Sequence, residues 1–143
     1  MYGGFKKLIN NTAITIGCVN KKLSAGDRMR RGLEFQIRRS QDNDDKLCEL
    51  RKTLKNGQTN KKTLLSLLPY VDKCGILCSH SRLAKVDHLP YNTRFPIILS
   101  SETDFAKLLV QSAHREHKHG VGANAVKAKL KEAYHITGLE PYL

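Results

Sequence analysis

The sequence predicts a small α+β fold on three observations: leucines at helical spacing mid-chain, two short apolar runs parted by turn residues, and two amphipathic segments beyond them. The architecture expected is a basic, helical or irregular N-terminal segment, a two-strand or hairpin sheet, and a C-terminal helix pair. Two units are expected, a basic linker/helical segment over residues 1–62 and a second unit over 63–143.

From Met1 to about Ser40, Gly, Asn and basic residues alternate without a clear period. The β-leaning Ile14-Thr15-Ile16 is the one ordered-looking patch, so this stretch is read as loosely structured. Beyond it, Asn43 reads as an N-cap, Leu47, Leu50 and Leu54 follow at i, i+3 and i+7, and Asn56-Gly57 ends the helix. The apolar run Thr63 to Leu68 then meets Pro69, which restricts Leu68 to extended geometry and stops any short helix.

Gly75-Ile76-Leu77-Cys78 and Phe95-Pro96-Ile97-Ile98-Leu99 are the two apolar runs, with Asp87, Pro90 and Asn92 as turn residues between them. They are expected to pair antiparallel, with Pro96 at a sheet edge. Ser101-Glu102-Thr103-Asp104 has the form of a capping box, and Phe105, Leu108, Leu109 and Ala113 continue on one face of a helix ending near His119-Gly120. A last helix is predicted from Asn124 as cap, with Val126, Leu130, Ala133 and Tyr134 on one face, stopping before Gly138.

Composition narrows the function. A net charge of +12 and a sequence pI near 9.7 make polyanions the first partners to consider. The excess is local: residues 1–40 carry nine Lys/Arg against two Asp/Glu, whereas residues 101–143 carry six against five. Arg28, Arg30, Arg31, Arg38 and Arg39 form the densest cluster and are the predicted phosphate contacts. The cysteines Cys18, Cys48, Cys74 and Cys78 follow no secretory leader, so reduced thiols and an intracellular setting, cytoplasm and nucleus, are expected, with no membrane partner.

Three imidazoles in six residues, His114, His117 and His119, invite a metal reading, because neutral imidazole is a common zinc ligand. On a continuous helix His114 and His119 stand about 140° apart, so they share a metal only if the helix ends between them, as Gly120 and Gly122 allow. His114 and His117 share a helical face as they stand, and a solvated helix end is the third possibility. Cys74, Cys78 and His80 form a Cys-x3-Cys-x-His alternative, set against two unrelated buried thiols. Gly120 to Ala125 fits a Gly-x-Gly-x-x-Ala phosphate loop only in letters, since a His-rich helix and not a strand precedes it. Asp42, Asp44 and Asp45 read as helix N-terminal charges, and no nucleophile or two-metal carboxylate set is found, so no enzymatic activity is expected.

The order of several motifs resembles BEL/Pao-type retrotransposon polyproteins over the stretch that leads into integrase. Leu68-Pro69, Asp72, Gly75-Ile76-Leu77, Arg82-Leu83, Leu89-Pro90 and Pro96-Ile97-Ile98-Leu99 are similar to one signature of that family. Leu108-Leu109, His114, His119-Gly120, Leu130 and Tyr134-His135-Ile136 are similar to the first half of its His-His-Cys-Cys zinc-binding domain. Cys78-Ser79-His80-Ser81 stands where the family has Arg-Val-Gly-Gly, and His135 where it has Trp. The resemblance implies zinc ligand roles for His114 and His119, an incomplete site without the cysteine pair, and a truncated integrase zinc-binding domain over 63–143. It further implies a non-catalytic part in DNA integration, with DNA or RNA and other polyprotein segments as partners. The alternative is a small, basic, metal-free RNA- or DNA-binding module.

Overall fold

The computed structural model describes residues 4–19, 21–57, 68–116 and 122–138. Within them the chain is α+β: α1 (Gly4–Val19), α2 (Ala25–Asn43), α3 (Asp45–Lys55), β1 (Pro69–Val71), β2 (Leu77–Ser79), α4 (Tyr91–Arg94), β3 (Ile97–Ser100), α5 (Asp104–Glu116), α6 (Ala123–Lys131) and β4 (Tyr134–Thr137). The strands form one sheet in the order β1-β2-β3-β4. The predicted pair is present, with Cys78 opposite Ile97 in antiparallel β2 and β3. Two further strands extend it. β1 is antiparallel to β2 with Tyr70 opposite Cys78, and β4 is parallel to β3 from Ile97↔Tyr134 to Ser100↔Thr137.

Strand alternation sorts the apolar residues onto two covered faces. Cys78, Ile97, Leu99 and Ile136 join a core completed by Ile9 of α1, Ile37 of α2, Phe105, Leu109 and Ala113 of α5, and Val126 and Leu130 of α6. On the other face Leu77 and Ile98 meet Leu47 and Leu50 of α3. Central β3 is therefore buried along its whole length, which explains the unbroken apolar run Ile97-Ile98-Leu99. The first core draws on both sides of residue 62.

The loose N-terminal segment expected from the sequence is instead two packed helices. Low propensity in α1 is overridden by tertiary contact. Thr12 and Thr15 return their hydroxyls to the carbonyls of Leu8 and Asn11, at 2.9 and 3.0 Å, so neither competes with the helix. Ile9 and Ala13 then press on α2 at Gly32, where an added β-carbon would lie 3.2 Å from the Ile9 carbonyl oxygen and the Ala13 nitrogen. Ile14, the centre of the predicted β patch, points to solvent. α2 opens on Ser24, whose Oγ accepts from the Asp27 N–H at 3.2 Å and donates to the Asp27 carboxylate at 2.8 Å.

Several boundaries differ from the prediction for identifiable reasons. Asn43 closes α2, and the cap of α3 is Asp44, whose Oδ1 accepts from the Leu47 N–H at 3.0 Å. Leu68 is not extended but has φ +46°, with its carbonyl receiving the His80 backbone N–H and lying 2.9 Å from His80 Nδ1. Pro96 is buried just ahead of a central strand, not at an edge, and needs no N–H there because its carbonyl makes the contact, accepting from Ser79 at 2.8 Å. α5 is capped by Thr103 and not Ser101, which instead donates to the Gly138 carbonyl at 3.1 Å. α6 starts after Gly122 rather than on Asn124, and it stops at Lys131, because Tyr134 to Thr137 pair with β3. The apolar run Thr63 to Leu68 lies almost wholly outside the described residues, and His117, His119 and Gly120 lie wholly outside them.

Candidate nucleic-acid interface

The predicted arginine cluster falls on one helix. At about 100° per residue, Arg28, Arg31, Arg38 and Arg39 of α2 gather within about 60° of the direction of Phe35. Gln36, Ile37, Ser40 and Gln41 occupy the remaining, buried arc, and buried Gly32, about 60° from Phe35, marks the edge where the face meets α1. The basic face therefore points outward because the other face is fixed by the core. Arg30 departs from the group, lying on another side of the helix and pairing with Asp27 at 3.1 Å.

Arg31, Arg38 and Arg39 are exposed and make no hydrogen bond or ion pair to another described residue, while Arg28 donates to the Lys21 carbonyl at 3.3 Å. Only Arg28 and Arg31 stand at neighbouring i and i+3 positions, and that like-charged pair disfavours the helix by about 0.2–0.5 kcal/mol. Asp42 lies near the C-terminal end of this face but is engaged by Arg51. In the middle sits Phe35, 53% exposed, in neither core cluster. Sequence reading missed Phe35. The signal was Ser24-x-x-Asp27 as a helix start, which would have put Phe35 at i+4 from Arg31 and i−3 and i−4 from Arg38 and Arg39.

The β1–β2 turn borders this face. Asp72 Oδ1 accepts from the Cys74 and Ile76 N–H groups at 2.8 and 2.9 Å, and Gly75 takes φ +79°. A β-carbon on Gly75 would come within 3.5 Å of Arg38 Nε. Exposed Cys74 has its thiol raised by desolvation and by the Glu34 and Asp72 carboxylates, against the opposing pull of Arg30 and Arg38.

Among the described residues the metal candidates share no common site. His114 is exposed in the last turn of α5, and its predicted co-ligand His119 lies outside the described residues. Cys78 is buried, its thiol pushed up to about 12 mainly by desolvation, which opposes the thiolate that zinc requires. His80 is held at the Leu68 carbonyl. Among the described residues no three His, Cys, Asp or Glu side chains form a group that could hold a metal. Among the described residues no four-donor set for a zinc centre is brought together.

A cleft of about 610 Å³ lies where α2 and α3 meet the start of α5, with Arg39 and Lys46 on its walls but also Asp45, Glu102 and Asp104. Asp45 and Asp104 are first-turn residues of α3 and α5, where a carboxylate favours the helix dipole. Acidic walls make this cleft a poor continuation of the basic face. No helix among the described residues is long and apolar enough to cross a membrane. No protein-family model matches the chain, and no curated protein or solved structure is significantly similar to it.

Proposed function

We propose that this chain is a non-catalytic nucleic-acid-binding module, and that the outward face of α2 carries the contact. The observation that supports it is the alignment of Arg28, Arg31, Arg38 and Arg39 on one face opposite the core, the last three without described partners. Over the 11 helical steps from Arg28 to Arg39 the face extends about 16 Å, enough to meet several successive phosphates of one strand. Guanidinium forks suit such contacts, and they bind without reading sequence.

The motif order described above motivates the wider setting of this proposal, a retroelement polyprotein in which the module accompanies integrase. Zinc belongs to that setting through His114 and His119 and is not needed by the α2 contact. The second reading, a metal-free RNA- or DNA-binding module, shares the same face.

The test is binding to a duplex oligonucleotide at a series of salt concentrations. Four neutralised phosphates give a slope of log affinity against log salt of about −3 to −4. Changing Arg31, Arg38 and Arg39 together to Ala should flatten it by more than half, and changing His114 should leave it unaltered. Affinity that ignores salt, or that survives the triple change, refutes the assignment.

A further inference from the structure

We infer that the α2 face takes unpaired nucleic acid in preference to duplex, with Phe35 as the platform on which a base stacks. This deepens the function proposed above and rests on it. Phe35 is 53% exposed although α2 already buries Ile37 in the core, and among the described residues its ring has no aromatic partner. The neighbours of Phe35 along the helix face are Arg31, Arg38 and Arg39, at the spacings that set side chains about 5–6 Å apart at Cβ.

An exposed aromatic ring whose helix-face neighbours are three arginines excludes several occupants. A second apolar protein surface covering Phe35 would desolvate those cations without neutralising them. An acidic peptide satisfies the cations but offers the ring nothing. A single strand satisfies both, because its phosphates pair with the arginines while its bases have free π faces. Bases in a duplex are stacked on each other and offer only their edges. Asp42, the carboxylate at the C-terminal end of this face, has its charge offset by its ion pair with Arg51.

The experiment compares a labelled single-stranded oligonucleotide with a hairpin duplex of the same composition, by anisotropy, using the full chain and its variants. The single strand should bind several-fold more tightly at matched salt. Phe35→Ala should weaken it by roughly 5- to 100-fold, the range of a lost base–aromatic stack, while duplex affinity and the salt slope stay unchanged. The chain has no Trp, so Phe35→Trp yields a single-tryptophan protein whose emission should be quenched by the single strand and not by the hairpin.

If Phe35→Ala changes neither affinity while the triple arginine change removes both, the stacking inference is wrong and the charge-based function stands. If Phe35→Ala weakens single strand and duplex alike, or the tryptophan emission does not respond, the inference also fails. If neither form of nucleic acid binds, the underlying function fails. An acidic peptide that displaces the oligonucleotide and quenches Trp equally would identify a protein partner instead.

Discussion

Arg51 Nη2 donates to the side-chain carbonyl of Gln41 at 2.6 Å, with both residues buried beneath α2 and α3. The same Gln41 oxygen accepts from the Leu77 N–H at 2.9 Å, and its amide nitrogen donates to the carbonyls of Leu77 and Ile98 at 3.0 and 2.8 Å. One side chain thus closes the β2–β3 ladder where the strands diverge.

Replacing Gln41 by Leu should therefore be among the most damaging single changes. It strands two strand carbonyls, one strand N–H and the Arg51 guanidinium in the interior, a loss of about 3–5 kcal/mol. Arg51→Met keeps the Gln41 contacts to the strands and should lose only about 1–2 kcal/mol. Urea midpoints at constant m-value provide the measurement, and equal losses for the two variants would contradict this division.

Gly32→Ala and Gly26→Ala should have opposite signs although both lie in α2. At Gly32 the new methyl meets backbone atoms of α1 at 3.2 Å, which cannot move without separating the helices. Overpacking costs about 1–3 kcal/mol and outweighs the gain in helix propensity of about 1 kcal/mol. At Gly26 nothing lies within 4 Å, so the propensity gain remains and the melting temperature should rise slightly.

His135 should make stability sensitive to mild acid. Its imidazole is held below the ordinary 6.5 by burial first and by Lys131 second. As pH falls below about 6.5 the unfolded chain takes up a proton that the folded chain refuses. The contribution is full above that pH and is lost progressively down to the depressed folded value. Thermal melts between pH 7.5 and 5.5 should show this decline, and His135→Gln should flatten it. An undiminished decline in that variant would assign the effect elsewhere.

Zinc should bind this chain weakly. Two imidazoles supply half of a four-donor structural site, and Cys78 is too buried to complete it. Chelator competition should remove the metal at once with no change in melting temperature. Stoichiometric binding that resists a chelator and stabilises the fold would overturn the expectation.

The helices with strong amphipathic spacing, α3 and α5, were legible because Leu47, Leu50, Phe105 and Leu109 are both periodic and buried. α1 was not, because its stability resides in contacts with Gly32 and Phe105 that no local pattern encodes. β4 was misread as helix since Leu130, Ala133 and Tyr134 continue the spacing of α6. The decisive influence there is the unpaired edge of β3, a distant partner. The arginines were found from charge alone, but the face they share depended on recognising α2. Phe35 became visible only with that face.

The parallel pairing of β3 with β4 bears on how the chain acquires its structure. The β1–β2 hairpin and the α1–α2 pair join near neighbours in sequence, whereas Ile97 must wait for Tyr134 across two intervening helices. Closing so long a segment precedes any contact that rewards it, so this step should limit the folding rate. During synthesis the inner edge of β3, with its buried Ile97, Ile98 and Leu99, stays open until Thr137 has left the ribosome, making it the stretch for which a chaperone would compete.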